Sequence, residues 1–476
     1  MYPRFPLNGS RQTPERKTVR RLPPLNSLQS ERIIAGPAAT SFPYCLPPMK
    51  SPLARISTAL LSLALAAVAA AQDLALTPLK STSIYAMGEK AGWTVAPAAN
   101  APAGAKYRYS LRKNDSQVIQ TGVIDGAATI EAVLNEPAML YLDIAPESGD
   151  GKHIAAGAAV APTQLKPSTP RPKDFDAFWA EKIKMLEAIP AEPVVTPGDS
   201  GREGVEYATI RLNNIAGSHV YGQIAKPARE GKFPAMLILQ WAGGPYPLQK
   251  PWVVDRAAEG WLTLNIEAHD VPGNLPQEFY DALPQIIKAY NSLYDDDRGR
   301  NYFLRMYLGA YRAADYLAAR PDWNGKILVA TGTSMGGQQS FAVSGLHPKI
   351  THMIVHVPAG ADSNGGLHGR LSGYPNWDSS RPKVMETALY FDTVNFASRI
   401  KAVSLVSMGF LDEVCPPAGI WTAFNQIPGR KEVVPLPTAA HNHQSTPEQQ
   451  RAYTERSGKW FKALANGAEP DVRPLK

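Results

Sequence analysis

The segment ILVATGTSMGGQQS, Ile327–Ser340, decides how the rest of the chain is read. Four apolar residues, Ile327–Ala330, run into Gly332-Thr333-Ser334-Met335-Gly336, and a stretch of helical character follows. A buried strand, a very tight turn and a helix, in that order, make a nucleophile elbow. The serine there is held in strained backbone, and the residues two before and two after it must be very small. Gly332 and Gly336 meet that demand, and Gly337 leaves room for the helix to approach the strand. The G-x-S-x-G pattern alone is common, and the plain alternative is a glycine turn. Placement between strand and helix makes Ser334 the candidate nucleophile.

A serine hydroxyl attacks poorly without a base, and the base needs an orienting carboxylate. On an α/β-hydrolase scaffold these follow in the order serine, acid, histidine. Downstream, LVSMGFLDEVCPP (Leu405–Pro417) is an apolar strand that ends at Asp412, with prolines opening the next helix. Asp412 is therefore the expected acid. Its neighbour Glu413 is the rival and reads as a solvated loop charge. The last strand and its loop, EVVPLPTAAHNHQST (Glu432–Thr446), offer His441 and His443. His441, the first after the small residues, is favoured as the base, and His443 stays open. The H-x-H spacing also suits a metal, but no third ligand stands beside it, so neither metal nor cofactor is expected. The oxyanion requires two backbone N–H donors. One is that of Met335, just after the nucleophile. By position the other is that of Ala242, in the loop of LILQWAGGPY (Leu237–Tyr246), with Trp241 as the alternative.

Around these residues, apolar runs alternate with helical stretches. PAMLILQWAGG, WLTLNIEA, KILVATGTS, HMIVHVPAG, AVSLVSMGF and KEVVPLPT read as buried strands, and VEYATIRL with HVYGQIAKP reads as an antiparallel opening pair. Helices are expected over 303–320, 338–346 and 417–427. The fold class is thus α/β: an α/β-hydrolase with a doubly wound, mainly parallel sheet over residues 175–470. It opens with DFDAFWAEKIKMLEAI, which places Phe175, Phe178, Trp179, Ile183 and Leu186 on one helical face. Residues 73–165 alternate in short strands such as KYRYSLRKN and AMLYLDIA, the pattern of a small all-β, immunoglobulin-like sandwich. Its Trp93, Tyr107 and Tyr109 read as core. KPSTPRPKD, Lys166–Asp174, reads as a linker. Gly360–Glu386, rich in Gly, Ser, Asn and Pro, reads as a loop over the site, in which Tyr374 and Trp377 either stack on a sugar or pack.

The 476 residues carry a formal charge of +7, but the excess lies at the start: residues 1–71 hold nine Lys/Arg and two Glu, and 40 of each sign follow. That balance excludes a nucleic-acid footprint. MKSPLARISTALLSLALAAVAAA, Met49–Ala71, has a basic start, an apolar run and an A-x-A end, the pattern of a secretory signal peptide. The apolar run is short for a membrane span. A periplasmic or secreted protein, with no membrane span after cleavage, is therefore expected. Residues 1–48 read as an unstructured leader, consistent with a start assigned too early. Of two cysteines only Cys415 would remain after cleavage.

DFDAFW, the elbow TGTSMGGQQS, the preceding ADYLAARPDWNGKILV and above all YFDTVNFASRIKAVSLVSMGFLDEVCPP (Tyr390–Pro417) resemble the acetyl xylan esterases and cephalosporin C deacetylases of carbohydrate esterase family 7. The resemblance runs from about Pro172 to Leu464. It implies a Ser334–Asp412–His441 triad, an oxyanion hole at Ala242 and Met335, and acetate release from acetylated oligo- or polysaccharides; the family's typical hexamer makes a homo-oligomer an expectation. Departures are visible. Met335 stands where the family usually has Gln, EAHDVPG (Glu267–Gly273) stands where it has Arg-Gly-Gln, and Gln240-Trp241-Ala242 replaces its His-Gly-Tyr. Two other readings remain: a prolyl-oligopeptidase-type peptidase, for which the N-terminal module of about 90 residues is too small to be a propeller, and a non-catalytic carbohydrate-binding or scaffold protein on a hydrolase fold.

Overall fold

The structure, a computed structural model, describes residues 73–475 apart from 100, 103, 150 and 151. The leader and signal-peptide readings lie outside the described residues. Eight strands come first: β1 Leu74–Pro78, β2 Ile84–Tyr85, β3 Lys90–Pro97, β4 Lys106–Lys113, β5 Gln117–Asp125, β6 Ala128–Val133, β7 Ala138–Pro146 and β8 Ile154–Val160. They form a three-stranded sheet, β1-β3-β6, and a five-stranded sheet, β2-β8-β7-β4-β5. Period-two burial explains the pairing: Tyr107 and Leu111 of β4 point inward, and with Trp93, Leu140 and Leu142 they fill one shared core.

The second part is a nine-stranded mixed sheet. Its strands are β9 Val194–Gly198, β10 Val205–Asn213, β11 His219–Pro227, β12 Phe233–Leu239, β13 Leu262–Ile266, β14 Trp323–Thr333, β15 His352–His356, β16 Val403–Gly409 and β17 Lys431–Leu436. Their order is β17-β16-β15-β14-β12-β13-β11-β10-β9, parallel from β17 to β13 and antiparallel beyond. Strand β9 has no counterpart among the expected strands. Every one of its residues is exposed, so it carries no alternation to read. The final helix, Pro447–Ala465, starts at a capping box between Thr446 and Gln449.

The chain enters the parallel sheet at β12, moves to β13 on one side and returns to β14 on the other. The C-terminal ends of β12 and β14 therefore flank a topological switch point, where open α/β sheets place their ligand sites. The helix Met335–Leu346 that follows β14 is buried along its whole length. Glycines let it come so close: a Cβ on Gly336 would lie 2.2 Å from the Leu239 carbonyl oxygen.

The two parts pack as one compact unit among the described residues. Met139, Ala159 and Leu165 belong to the same core cluster as the α/β strands. The segment Lys166–Asp174 is pinned rather than loose: Ser168 donates through N (2.8 Å) and Oγ (2.6 Å) to Asp362, and Arg298 pairs with Asp174 at 2.7 Å. At the seam, Gly157 of β8 donates to the Pro437 carbonyl, and a Cβ on it would lie 2.4 Å from Phe410 Cβ. Phe410 and Pro437 follow β16 and β17, the strands whose ends carry Asp412 and His441. Gly157→Val should cost about 2 kcal/mol through overpacking. Urea unfolding measures it, and a wild-type midpoint would mean that the seam yields freely.

Candidate active site

Ser334 sits at the end of β14 with φ 56° and ψ −122°, a region that non-glycine residues avoid. The strain is held by neighbours: the Ser334 N–H donates to the His356 carbonyl at 3.0 Å, and its own carbonyl accepts from Gln338 and Ala359. The turn presents Oγ to His441, whose Nε2 accepts from it at 3.0 Å. His441 Nδ1–H donates to Asp412 Oδ2 at 2.7 Å. A carboxylate at Nδ1 fixes the proton there and leaves Nε2 as an acceptor. The other Asp412 oxygen, Oδ1, accepts from the N–H groups of Val414 (2.9 Å) and Cys415 (2.7 Å), so the carboxylate cannot rotate without losing both. All three side chains are buried.

The neighbours left open by the sequence are now separated. His443 is exposed and meets His441 only edge to face, at 5.3 Å between rings. Glu413 points outward and lies 3.8 Å from Arg112 of the N-terminal strands. Cys415 Sγ lies 3.9 Å from Ser334 Oγ, and burial pushes its thiol well above the usual range. Ligand atoms of Asp412, Cys415 and His441 lie within 4.8 Å of one another. The direct 2.7 Å contact between Asp412 and His441, continued to Ser334 at 3.0 Å, makes the pair part of a hydrogen-bonded relay.

Met335 is the first residue of its helix, so its N–H has no intrahelical acceptor. Its side chain is tied up elsewhere: Sδ lies 3.3 Å from Tyr290 Oη and 3.2 Å from Tyr374 Oη, which are 2.6 Å from each other. Tyr374 and Trp377 thus belong to packing. Trp377 is buried, with its ring 5.7 Å from Phe303, so it offers no sugar platform.

Ala242 follows β12. Because Leu239 pairs with Gly332, the loop Gln240–Ala242 lies beside Thr333–Met335. Hydrogen bonds from neighbouring elements hold this loop. Gln339 donates to the Gln240 carbonyl at 3.0 Å, Ala268 N–H to Gln240 Oε1 at 3.0 Å, and His269 Nε2–H to the Gly243 carbonyl at 3.0 Å. The carbonyl can only accept, so the His269 proton is on Nε2, and Nδ1 accepts from Tyr302 at 2.9 Å. Burial, with Arg305 nearby, drops His269 from the ordinary 6.5 to about 3. Glu267, also behind the loop, is pushed by burial well above the carboxylate range and so keeps its proton to higher pH than an ordinary glutamate. His269 carries no motif. Its role depends on β13 ending beside the β12 loop, which only the fold supplies.

A buried neutral histidine also has a consequence for stability. Below pH about 6.5 the unfolded chain binds protons that folded His269 refuses until pH about 3, and His356 refuses until about 4. Protons then favour the unfolded state, and stability falls as pH drops through this window. The unfolding midpoint should decline from pH 6.5 to 4.5, with a shallower decline in His269→Gln. An equal slope in the variant would show that His269 is not kept neutral.

The acetyl xylan esterase (AXE1) family matches residues 163–365 and 371–460. The acetyl esterase Axe7A of Xylanibacter ruminicola is 28% identical over 326 residues, covering 67% of this chain and 74% of that relative. Among solved structures, acetyl xylan esterase 1 from a Thermoanaerobacterium species superposes with a TM-score of 0.54 at 19% identity, covering 64% of this chain and 97% of that one. An acetyl xylan esterase from a Paenibacillus species superposes at 0.53 and 21% identity, covering 63% and 98%. The two superpositions share the α/β-hydrolase fold described above. Since the family match spans more than half of the chain, the protein belongs to the acetyl xylan esterase family and is a carboxylic ester hydrolase.

Proposed function

We propose that the protein is an exported deacetylase of acetylated carbohydrates that works through a Ser334–His441–Asp412 acyl-enzyme mechanism. His441 Nε2 takes the Ser334 proton as Oγ attacks the acetyl carbon. The resulting oxyanion meets the N–H groups of Met335 and Ala242, fixed dipoles aimed where charge develops. His441, now an imidazolium stabilised by Asp412, passes the proton to the departing sugar oxygen. Water then attacks the acyl-enzyme by the same relay and frees acetate. The observation that carries this reading is the continuous chain Ser334 Oγ–His441–Asp412 at 3.0 and 2.7 Å, starting from a strained serine. Residues 175–470 are read as the esterase domain and 73–165 as an immunoglobulin-type module that braces the loops bearing Asp412 and His441. The signal-peptide pattern at 49–71 supports export.

The test is acetate release from acetylated xylo-oligosaccharides and from p-nitrophenyl acetate. Release from both, abolished in Ser334→Ala, is expected; hydrolysis of neither by folded enzyme would contradict the reading. A second check concerns the oxyanion loop. His269→Ala removes the hydrogen bond that holds the Gly243 carbonyl and should lower kcat about tenfold with KM little changed, the size of one lost buried hydrogen bond. Steady-state kinetics decides, and an effect confined to KM would place His269 outside oxyanion stabilisation.

A further inference from the structure

We propose that the groove beside Trp241 is a subsite for the sugar rings of the substrate chain, separate from the residues that handle the ester. The inference rests on the carbohydrate-esterase reading and extends it. Trp241 is 44% exposed, unusual for a tryptophan flanked by buried Gln240 and half-buried Ala242. Its indole is nonetheless fixed: it stacks on Tyr246 (5.6 Å, 19°) and meets Trp252 edge on (4.9 Å, 66°), and Tyr246 Oη–H donates to its carbonyl at 3.2 Å. An exposed aromatic face held rigid by two others binds without loss of side-chain freedom.

This indole borders a cavity of about 550 Å³, within the range of small-molecule sites. Trp252, Asp255, Arg256, Thr333 and Thr454 help to line it. It lies on the face of the sheet covered by the helices Pro251–Ala258 and Pro447–Ala465, opposite the helix that follows Ser334. None of the triad residues lines it, but Trp241 and Thr333 do, and these are the chain neighbours of Ala242 and Ser334, so sugar rings continuing from an ester at Ser334 have the groove within reach. The charges around it are already paired: Asp255 with Arg202 at 2.9 Å, Arg256 with Glu259 at 2.7 Å. A groove whose ions neutralise one another selects no ionic ligand. Aromatic faces beside neutral hydroxyls suit a pyranose ring, which offers an apolar C–H face and a polar rim.

The experiment compares kcat/KM for acetylated xylo-oligosaccharides with that for p-nitrophenyl acetate, in wild type, Trp241→Ala, Trp241→Phe and Trp252→Ala. The ratio of the two should fall about tenfold in both alanine variants and recover in Trp241→Phe, as expected for loss of one aromatic stack. Unacetylated xylo-oligosaccharides should quench tryptophan fluorescence of the wild type and less so of Trp241→Ala. An unchanged ratio in both alanine variants would overturn the subsite and leave carbohydrate deacetylation standing. A selective loss on p-nitrophenyl octanoate would also overturn it, because the groove would then hold acyl chains. Failure of the wild type on every acetylated oligosaccharide, with p-nitrophenyl acetate still cleaved, would overturn the underlying reading, and needs no variant to be seen.

Discussion

Ser334→Ala should lower kcat for p-nitrophenyl acetate by about 10⁶-fold, the scale seen when a triad nucleophile is removed. The serine is delivered by a backbone conformation, φ 56° and ψ −122°, for which Gly332 and Gly336 leave room. The alanine variant keeps that turn, because the bonds to His356, Gln338 and Ala359 are all made by the backbone. Circular dichroism should therefore show a native fold beside the lost activity. A loss of less than tenfold would remove Ser334 from the chemistry.

Asp412→Asn is expected to cost about 10⁴-fold in kcat, by trapping the wrong tautomer of the base. The direction of the amide follows from its partners. Oδ1 accepts from two N–H groups, at 2.9 and 2.7 Å, so the asparagine oxygen must stay there. Its NH₂ then faces His441 Nδ1, which has to accept, and the imidazole proton moves to Nε2, pointing at Ser334. The hydroxyl loses its base without any change in position. Glu413→Gln, at the exposed neighbour, should change kcat by less than about twofold, as for a surface ion pair. Equal effects at the two positions would contradict the assignment of the acid.

Much of this architecture is legible in the sequence because parallel strands buried on both faces are apolar runs, and the elbow needs small residues at fixed offsets. Strand β9 escapes for the opposite reason, having no buried residue. The opening helix reads well, since four of its five expected inward residues are buried and Ile183 is partly so. His441 and His443 look alike in HNH, and only the loop geometry makes one buried and the other exposed. Trp377 offers itself to solvent in a Gly- and Pro-rich loop, yet the fold returns that loop onto Phe303. His269 and Gly157 act through partners far along the chain, Gly243 and Phe410, and nothing in local spacing marks them.

The central claim is that Ser334 is the residue that becomes acylated. A fluorophosphonate reports this directly, since it reacts fastest with a serine activated by its base and oxyanion site. Mass spectrometry of the labelled, digested enzyme should find one adduct per chain, on the peptide containing Ser334, with acetate release lost in proportion. Folded protein that stays unlabelled, or that carries its adduct on another residue while activity falls, would contradict the account.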